Sequence, residues 1–253
     1  NLIFMSSDII SSANEAIINI WEKRFKEGFK GDVLRYPPIL HQYPNPCHLL
    51  FIGLNPSFSK TGWDTILKSF NDQEILKELK ETNIEEYFEY KNKEDFKSKE
   101  NTIKKLDIQA GISHQYFENF KVLARKIFNG QDGNHHHLDL YQYRRTKSVD
   151  LQNIISSNED FFNKQARITK SLIETIKPDI LLVANATASR EFKKLFSIRD
   201  EHFNDQIGTY EINICGKDVV VFLSGMLSYG GTAVEAFKRL EWHIKSVHEN
   251  RLK

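Results

Sequence analysis

The chain has 253 residues, and its 35 lysines and arginines nearly cancel its 34 aspartates and glutamates, for a formal net charge of +1. That balance excludes binding to nucleic acid through bulk charge, so any such face must be a local patch. Two cysteines, Cys47 and Cys215, are too few for a four-cysteine cluster or a cysteine-rich zinc site. No stretch is apolar for long enough to span a bilayer, so no membrane partner is expected.

The spacing of Ile9, Ile10, Ala13, Ala16, Ile17, Ile20, Trp21 and Phe25 predicts one helix over Ser7 to Lys26 with a core-facing stripe. Gly28 to Pro46 is rich in Gly and Pro and reads as a connecting loop. The apolar run Leu49-Leu50-Phe51-Ile52 is too short for a stable helix and predicts a buried strand. Gly53 removes a side chain where something approaches the backbone. Pro56 holds Asn55 extended at the strand's carboxyl end. Ser57 to Asp64 reads as a polar loop carrying Phe58 and Trp63. The region from about 66 to 108 is dense in Lys and Glu and reads as a charged helical insertion with a solvated face.

Gly111 to Phe128 predicts a further helix with Tyr116, Phe117, Phe120, Leu123, Ala124 and Ile127 on its apolar side, ended by Gly130 and Gly133. His135 to His137 read as a loop without metal-ligand spacing, so no metal and no cofactor are expected. Leu138 to Tyr143 is a second strand candidate, running into Arg144-Arg145-Thr146-Lys147. A helix over Phe161 to Ile176 closes at Lys177-Pro178. Asp179 to Ala184 is a buried strand, after which Thr187 or Ser189 caps a helix over Arg190 to Phe196. Residues 210–214 and 219–223 flank a turn at Gly216-Lys217 and read as a hairpin. The small-residue loop Ser224 to Thr232 leads into the last helix, Ala233 to about His248, with Trp242 off its apolar stripe.

Strands alternate with helices, which predicts an α/β fold: three layers, α/β/α, around a mainly parallel sheet of four to five strands, in a single domain over 1–253. In such a sheet four polar or glycine-rich strand ends meet at one rim, where ligands sit: Asn55-Pro56-Ser57, Tyr141 to Arg145, Asn185 to Ser189, and Ser224 to Gly231. Cys47 and Cys215 each flank a predicted strand, so they read as two reduced thiols, which favours a cytoplasmic protein.

Four blocks, in order, resemble the uracil-DNA glycosylase superfamily. Leu50 to Ser57 resembles its first motif in the Gly-x-Asn-Pro form, and Thr61-Gly62-Trp63 the Thr-Gly-aromatic that follows. Lys177 to Val183 resembles its Lys-Pro strand. Leu223 to Gly231 sits where that family has a His-Pro-Ser-Pro-Leu loop. The resemblance implies a monomeric enzyme that acts on double- or single-stranded DNA, needs no cofactor and hydrolyses the bond between a flipped base and its sugar. It implies that Asn55 holds the attacking water and that Ser224 stands at the catalytic loop. The base would lie against Gly53 and Leu54, stack on Phe58 or Trp63, and have its edge read near Asp139 and Tyr141. Ser57, Lys60, Arg144, Arg145, Lys147, Ser224 and Ser228 would meet phosphates. Gly225, Met226 and Tyr229 would line the DNA in the same loop, with Leu227 as the wedge that fills the space left by the base.

Two departures bear on chemistry. Leu223, or Ser224 one residue on, stands where the family offers His or Asn to the leaving base, a donor typically worth about 2.7–4 kcal/mol in the transition state. Asp139 stands near the place of the family's edge-reading Asn, and an ionised carboxylate only accepts hydrogen bonds. Together they point from plain uracil to a modified cytosine, such as the bulky ones of some phage genomes, and to phage defence as well as DNA repair by base excision. Two further expectations compete: a superfamily member that binds DNA without catalysis, and an unrelated α/β enzyme acting on free nucleosides.

Overall fold

A computed structural model describes residues 3–4, 7–31, 33–41, 43–81, 83–130, 134–145, 151–227 and 234–251. Two short strands, β1 (Ile3–Phe4) and β2 (Pro44–Asn45), pair antiparallel beside the main sheet. The main sheet comprises β3 (Leu49–Gly53), β4 (His135–Asp139), β5 (Ile180–Ala184), β6 (Phe203–Asn204), β7 (Thr209–Ile214) and β8 (Lys217–Ser224) in the order β4-β3-β5-β8-β7-β6. β4, β3, β5 and β8 run parallel, whereas β7 and β6 add an antiparallel edge. The fold is therefore α/β with a six-stranded mixed sheet, wider than the four to five strands expected. The extra strand is β6, which pairs with β7 at the edge, whereas the expected hairpin is present as β7–β8, its turn placing Cys215 and Gly216 both at positive φ, 49° and 83°. Such a two-residue turn matches the twist of the strands it joins. Cys215 is consequently exposed, and only Cys47 is a core thiol.

Side chains alternate across the sheet, so the two faces carry separate cores. Leu50 and Ile52 with Leu181, Val183, Val219 and Val221 face one side. There they meet α1 (Ser7–Glu27), α8 (Glu159–Ile176) and α9 (Ala186–Leu195), through Ile17 and Trp21, Leu172 and Ile173, and Phe192. Leu49 and Phe51 with Ile180, Leu182, Val220 and Phe222 face the other side. That side is covered by α6 (Glu118–Ile127) and α10 (Val234–Arg251) through Leu123, Ile127 and Ile244. Each large side chain buried in this way contributes about 1.5–3 kcal/mol. Trp242 lies off this interface at 70% exposure.

The charged segment forms α2 (Lys60–Lys68), α3 (Gln73–Glu81), α4 (Ile84–Tyr87) and α5 (Lys93–Ser113), and α7 (Leu151–Ser157) precedes α8. Three local expectations are corrected. Thr61-Gly62-Trp63 lies in the first turn of α2, because the Ser59 hydroxyl accepts from Gly62 N at 3.1 Å and caps the helix. The helix expected over Gly111 to Phe128 breaks at His114, whose ring Nδ1 accepts from Tyr116 N at 3.1 Å and starts a short 3-10 turn, Gln115–Phe117, ahead of α6. His135 to His137 are not a loop: they form β4 in register with Leu49 to Phe51.

Candidate active site

β3 has β4 on one side and β5 on the other, and the chain passes from β3 to β4 in one direction along the sheet and from β5 to β8 in the other. A crevice opens at such a switch point. A cavity of about 540 Å³ occupies it. The ends of all four parallel strands contribute to its lining: Leu54, Asn55 and Ser57 after β3, Asp139 and Gln142 at β4, Asn185 after β5, and Met226 after β8. Its far wall is apolar and aromatic, from Tyr116, Phe117 and Phe120. It extends past Pro38 to His41 and the last turns of α5.

Asn55 is half-buried at the mouth. Its Nδ2 donates to three backbone carbonyls, those of Tyr143 at 3.0 Å, Arg145 at 2.9 Å and Pro56 at 3.2 Å. Three acceptors around one end of the amide fix its orientation, since a flipped amide would set oxygen against oxygen. Oδ1 has no donor among the described residues, and it is the atom left to accept from a ligand. The sequence accounts for this: Pro56 keeps the segment extended, and the Arg145 N–H donates to the Pro56 carbonyl at 3.0 Å, tying the two strand exits together.

Gly53 is required by its neighbour across the parallel pair. A Cβ there would stand 2.0 Å from Asp139 Oδ1 and 3.1 Å from His137 Nε2. The close approach expected at this glycine is thus made by two polar side chains of β4. The Asp139 carboxyl has no hydrogen-bond partner among the described residues, and burial pushes its pKa from 3.8 up to about 7, against the opposing pull of Arg144. His137 is enclosed edge-on by Tyr116, Phe117 and Phe120, with ring centroids 6.0, 5.2 and 5.4 Å away. Burial lowers its pKa to about 4, and its Nε2 is buried without a partner. At neutral pH the site therefore presents a neutral imidazole beside a carboxyl group that can hold a proton.

Other expected site residues lie elsewhere. Phe58 and Trp63, 6% and 3% exposed, pack on Phe88 at 5.3 and 4.8 Å between the Arg35 and Arg144 guanidiniums. They are core residues outside the cavity lining: Trp63 is turned inward by the early start of α2, and Phe58, just ahead of the helix, packs beside it. Tyr141 is buried on the opposite face against Phe162. Arg144 reaches the cavity wall, but its guanidinium is held by both Asp107 oxygens, at 2.6 and 2.9 Å, and by the Tyr36 carbonyl. A buried, neutralised cation is not a phosphate contact. Leu227 is fully buried under α6 and α10 and cannot act as a wedge. Its exposed neighbour Met226 lines the cavity instead. Leu223 packs against the core beside Val183, and Ser224 lies outside the lining. Ser57 is exposed at the mouth, where Arg145 also lines it, and Lys60 and Gly225 are exposed outside the lining. Lys147, Ser228 and Tyr229 fall outside the described residues.

Three contributors, Tyr116, Phe117 and His137, were not expected at the site, and Asn185, expected at the rim, has a further role as a helix cap. Tyr116 and Phe117 were assigned to a continuous helix, although His114 ahead of them carries a side-chain acceptor suited to ending one. His137 sits in a Gly/Asn-rich stretch that reads as a loop, yet it lies in β4. Asn185, not Thr187 or Ser189, caps α9, its Oδ1 accepting from the N–H groups of Thr187 and Ala188 at 2.8 and 3.0 Å. Those bonds use its oxygen and leave Nδ2 as the remaining donor of a residue that lines the cavity.

Among the described residues no group of three or more His, Cys, Asp or Glu side chains is arranged to hold a metal, and no helix is long and apolar enough to cross a membrane. No protein-family model matches the chain, and no curated protein matches it either.

Proposed function

We propose that this protein is a monofunctional DNA glycosylase of the uracil-DNA glycosylase type. In this reading the α/β fold is that superfamily's three-layer α/β/α form, and the protein works as a cytoplasmic monomer on DNA with no cofactor and no membrane. It hydrolyses the bond between C1′ and a flipped base, leaving an abasic site. The observation that carries the proposal is the Asn55 carboxamide, clamped by three carbonyls so that Oδ1 is left to hold a water at the cavity mouth.

An amide is too weak a base to deprotonate water outright. It orients the nucleophile toward a sugar that is already becoming an oxocarbenium ion. The extruded base stacks against Tyr116 and Phe117, which take the place expected of Phe58 or Trp63. Met226 takes the wedge position expected of Leu227. Ser57 and Arg145, beside the mouth, meet the flanking phosphates.

The volume of about 540 Å³ suits a ligand larger than a bare pyrimidine. Its extension toward Pro38 and α5 would house a bulky substituent, which favours a modified cytosine such as those of phage DNA. Phage defence is the role that such a substrate implies.

A second reading, a protein that binds DNA without catalysis, is favoured by Leu223, which packs into the core and offers nothing to a leaving base. One experiment separates the two. Oligonucleotides carrying uracil, thymine opposite guanine, cytosine or glucosylated 5-hydroxymethylcytosine are incubated with wild type and with Asn55→Ala, then cleaved by alkali at abasic sites. Wild type yields product from at least one base, and Asn55→Ala slows it by about 100-fold or more. Tight binding with no product from any base identifies the binder.

A further inference from the structure

The Asp139 carboxyl and His137 Nε2 converge above Gly53, at 2.0 and 3.1 Å from one point, yet neither has a hydrogen-bond partner among the described residues. His137 Nε2 is buried, whereas Asp139 is half-buried and lines the cavity; native proteins rarely leave such a pair of adjacent polar groups unmatched unless a ligand meets them. Both residues line the cavity together with the aromatic side chains of Tyr116, Phe117 and Phe120.

We propose that Asp139 selects and activates the base: its carboxylic acid donates to ring N3 of a cytosine-type base, accepts from the exocyclic N4–H, and passes its proton to N3 as the glycosidic bond breaks. The inference rests on the glycosylase reading and specifies its substrate class. In a cytosine the donor N4–H₂ lies next to the acceptor N3, and a neutral carboxyl matches that pair with one hydrogen bond in each direction. As the C1′–N1 bond breaks, its electron pair moves into the ring and N3 becomes strongly basic. The O–H bond of Asp139 breaks, an N3–H bond forms, and the base leaves neutral, not as an anion. Water adds to C1′ and sheds a proton, which restores the carboxyl. Uracil gains far less, because its N3 already carries hydrogen and its O4 is a much weaker base. The acid therefore takes over the role of the leaving-base donor that Leu223 does not provide.

The charged and titratable groups around Asp139 permit this. His137 on β4 is neutral at physiological pH, and Tyr43 and Tyr116 are phenols that burial keeps protonated. Arg144 opposes the proton but is itself neutralised by Asp107. Arg145 and Lys121 line the cavity as further cations.

The test measures single-turnover release of a 5-substituted cytosine and of uracil by wild type and Asp139→Asn between about pH 5 and about pH 9. For wild type, cytosine release falls about tenfold per pH unit once the acid is lost above roughly pH 7. Asp139→Asn, which folds by the criterion of urea unfolding, is at least about 100-fold slower on cytosine, has no such limb, and changes uracil release by less than about tenfold. An unchanged pH profile and base preference in Asp139→Asn overturns the inference alone, as does an equal loss for both bases. Absence of any abasic product from wild type overturns the glycosylase reading and the inference together.

Discussion

Asp139 and Asp179 stand at opposite ends of the parallel strands of the mixed sheet. Asp179 enters β5 at the amino end, where Lys217 lies 2.5 Å from one oxygen and His48 bonds the other. Burial alone would raise its pKa, but these partners outweigh burial and lower it. Asp139 closes β4 at the carboxyl end, has no such partners, and is pushed up to about 7. The residue type is the same and the outcome opposite. The amino end is a satisfied ion-pair network, which is structural. The carboxyl end keeps unmatched polar groups in a cavity, at a cost in stability that function explains better than folding does.

The largest expected effect comes from the cation nearest this contrast. Arg144→Ala leaves Asp107 buried without its partner and should destabilise the fold by about 3–5 kcal/mol, read as a shift in urea midpoint. Next is Asp139→Asn. A folded pKa above the unfolded one means that the native state keeps a proton the unfolded chain gives up, so stability declines as pH climbs from about 4 to about 7 and is level beyond. The rise from 3.8 to about 7 corresponds to about 4 kcal/mol as an upper bound. Asp139→Asn should therefore gain stability above pH 7, gain nothing below about pH 4, and lose activity as it gains, measured by unfolding at both pH values.

Gly53→Ala tests the close approach. Its Cβ must displace the Asp139 carboxyl, for a loss of about 1–3 kcal/mol and a shifted Asp139 titration in carbon-detected NMR. The smallest effect belongs to the satisfied end. Asp179→Asn should cost no more than about 1 kcal/mol near neutral pH, because its partners are partly solvated. Its lowered pKa means that this contribution is present above the unfolded pKa and is lost as pH falls through the folded one. Equal pH responses from the two aspartate variants would erase the comparison.

Much of the frame was legible because it depends on short-range patterns. The apolar runs at Leu49 and Ile180 are strands, the 3.6-residue stripe of α1 is a helix, and Asn-Pro marks the strand end that faces the cavity. What the sequence hid depends on contacts between distant residues. The two adjacent arginines look equivalent and both line the cavity, yet Asp107, far away on α5, holds the Arg144 guanidinium in a buried ion pair. Met226 and Leu227 look interchangeable, yet only Leu227 meets α6 and α10. Histidine is a poor strand signal, so the sequence points to a strand starting at Leu138 where β4 starts at His135, and gives no sign that His137 and Asp139 share one face. The break at His114, which brings Tyr116 and Phe117 to the cavity, turns on a single side-chain hydrogen bond.

The most direct test is a crystal structure of Asn55→Ala, whose turnover is expected to be slow, with an oligonucleotide bearing glucosylated 5-hydroxymethylcytosine. The base should lie out of the stack in the cavity, its face on Tyr116 or Phe117, its N3 and N4 toward Asp139, and its C1′ beside position 55. A base left in the helix, or DNA seated on another face of the protein, would contradict the account.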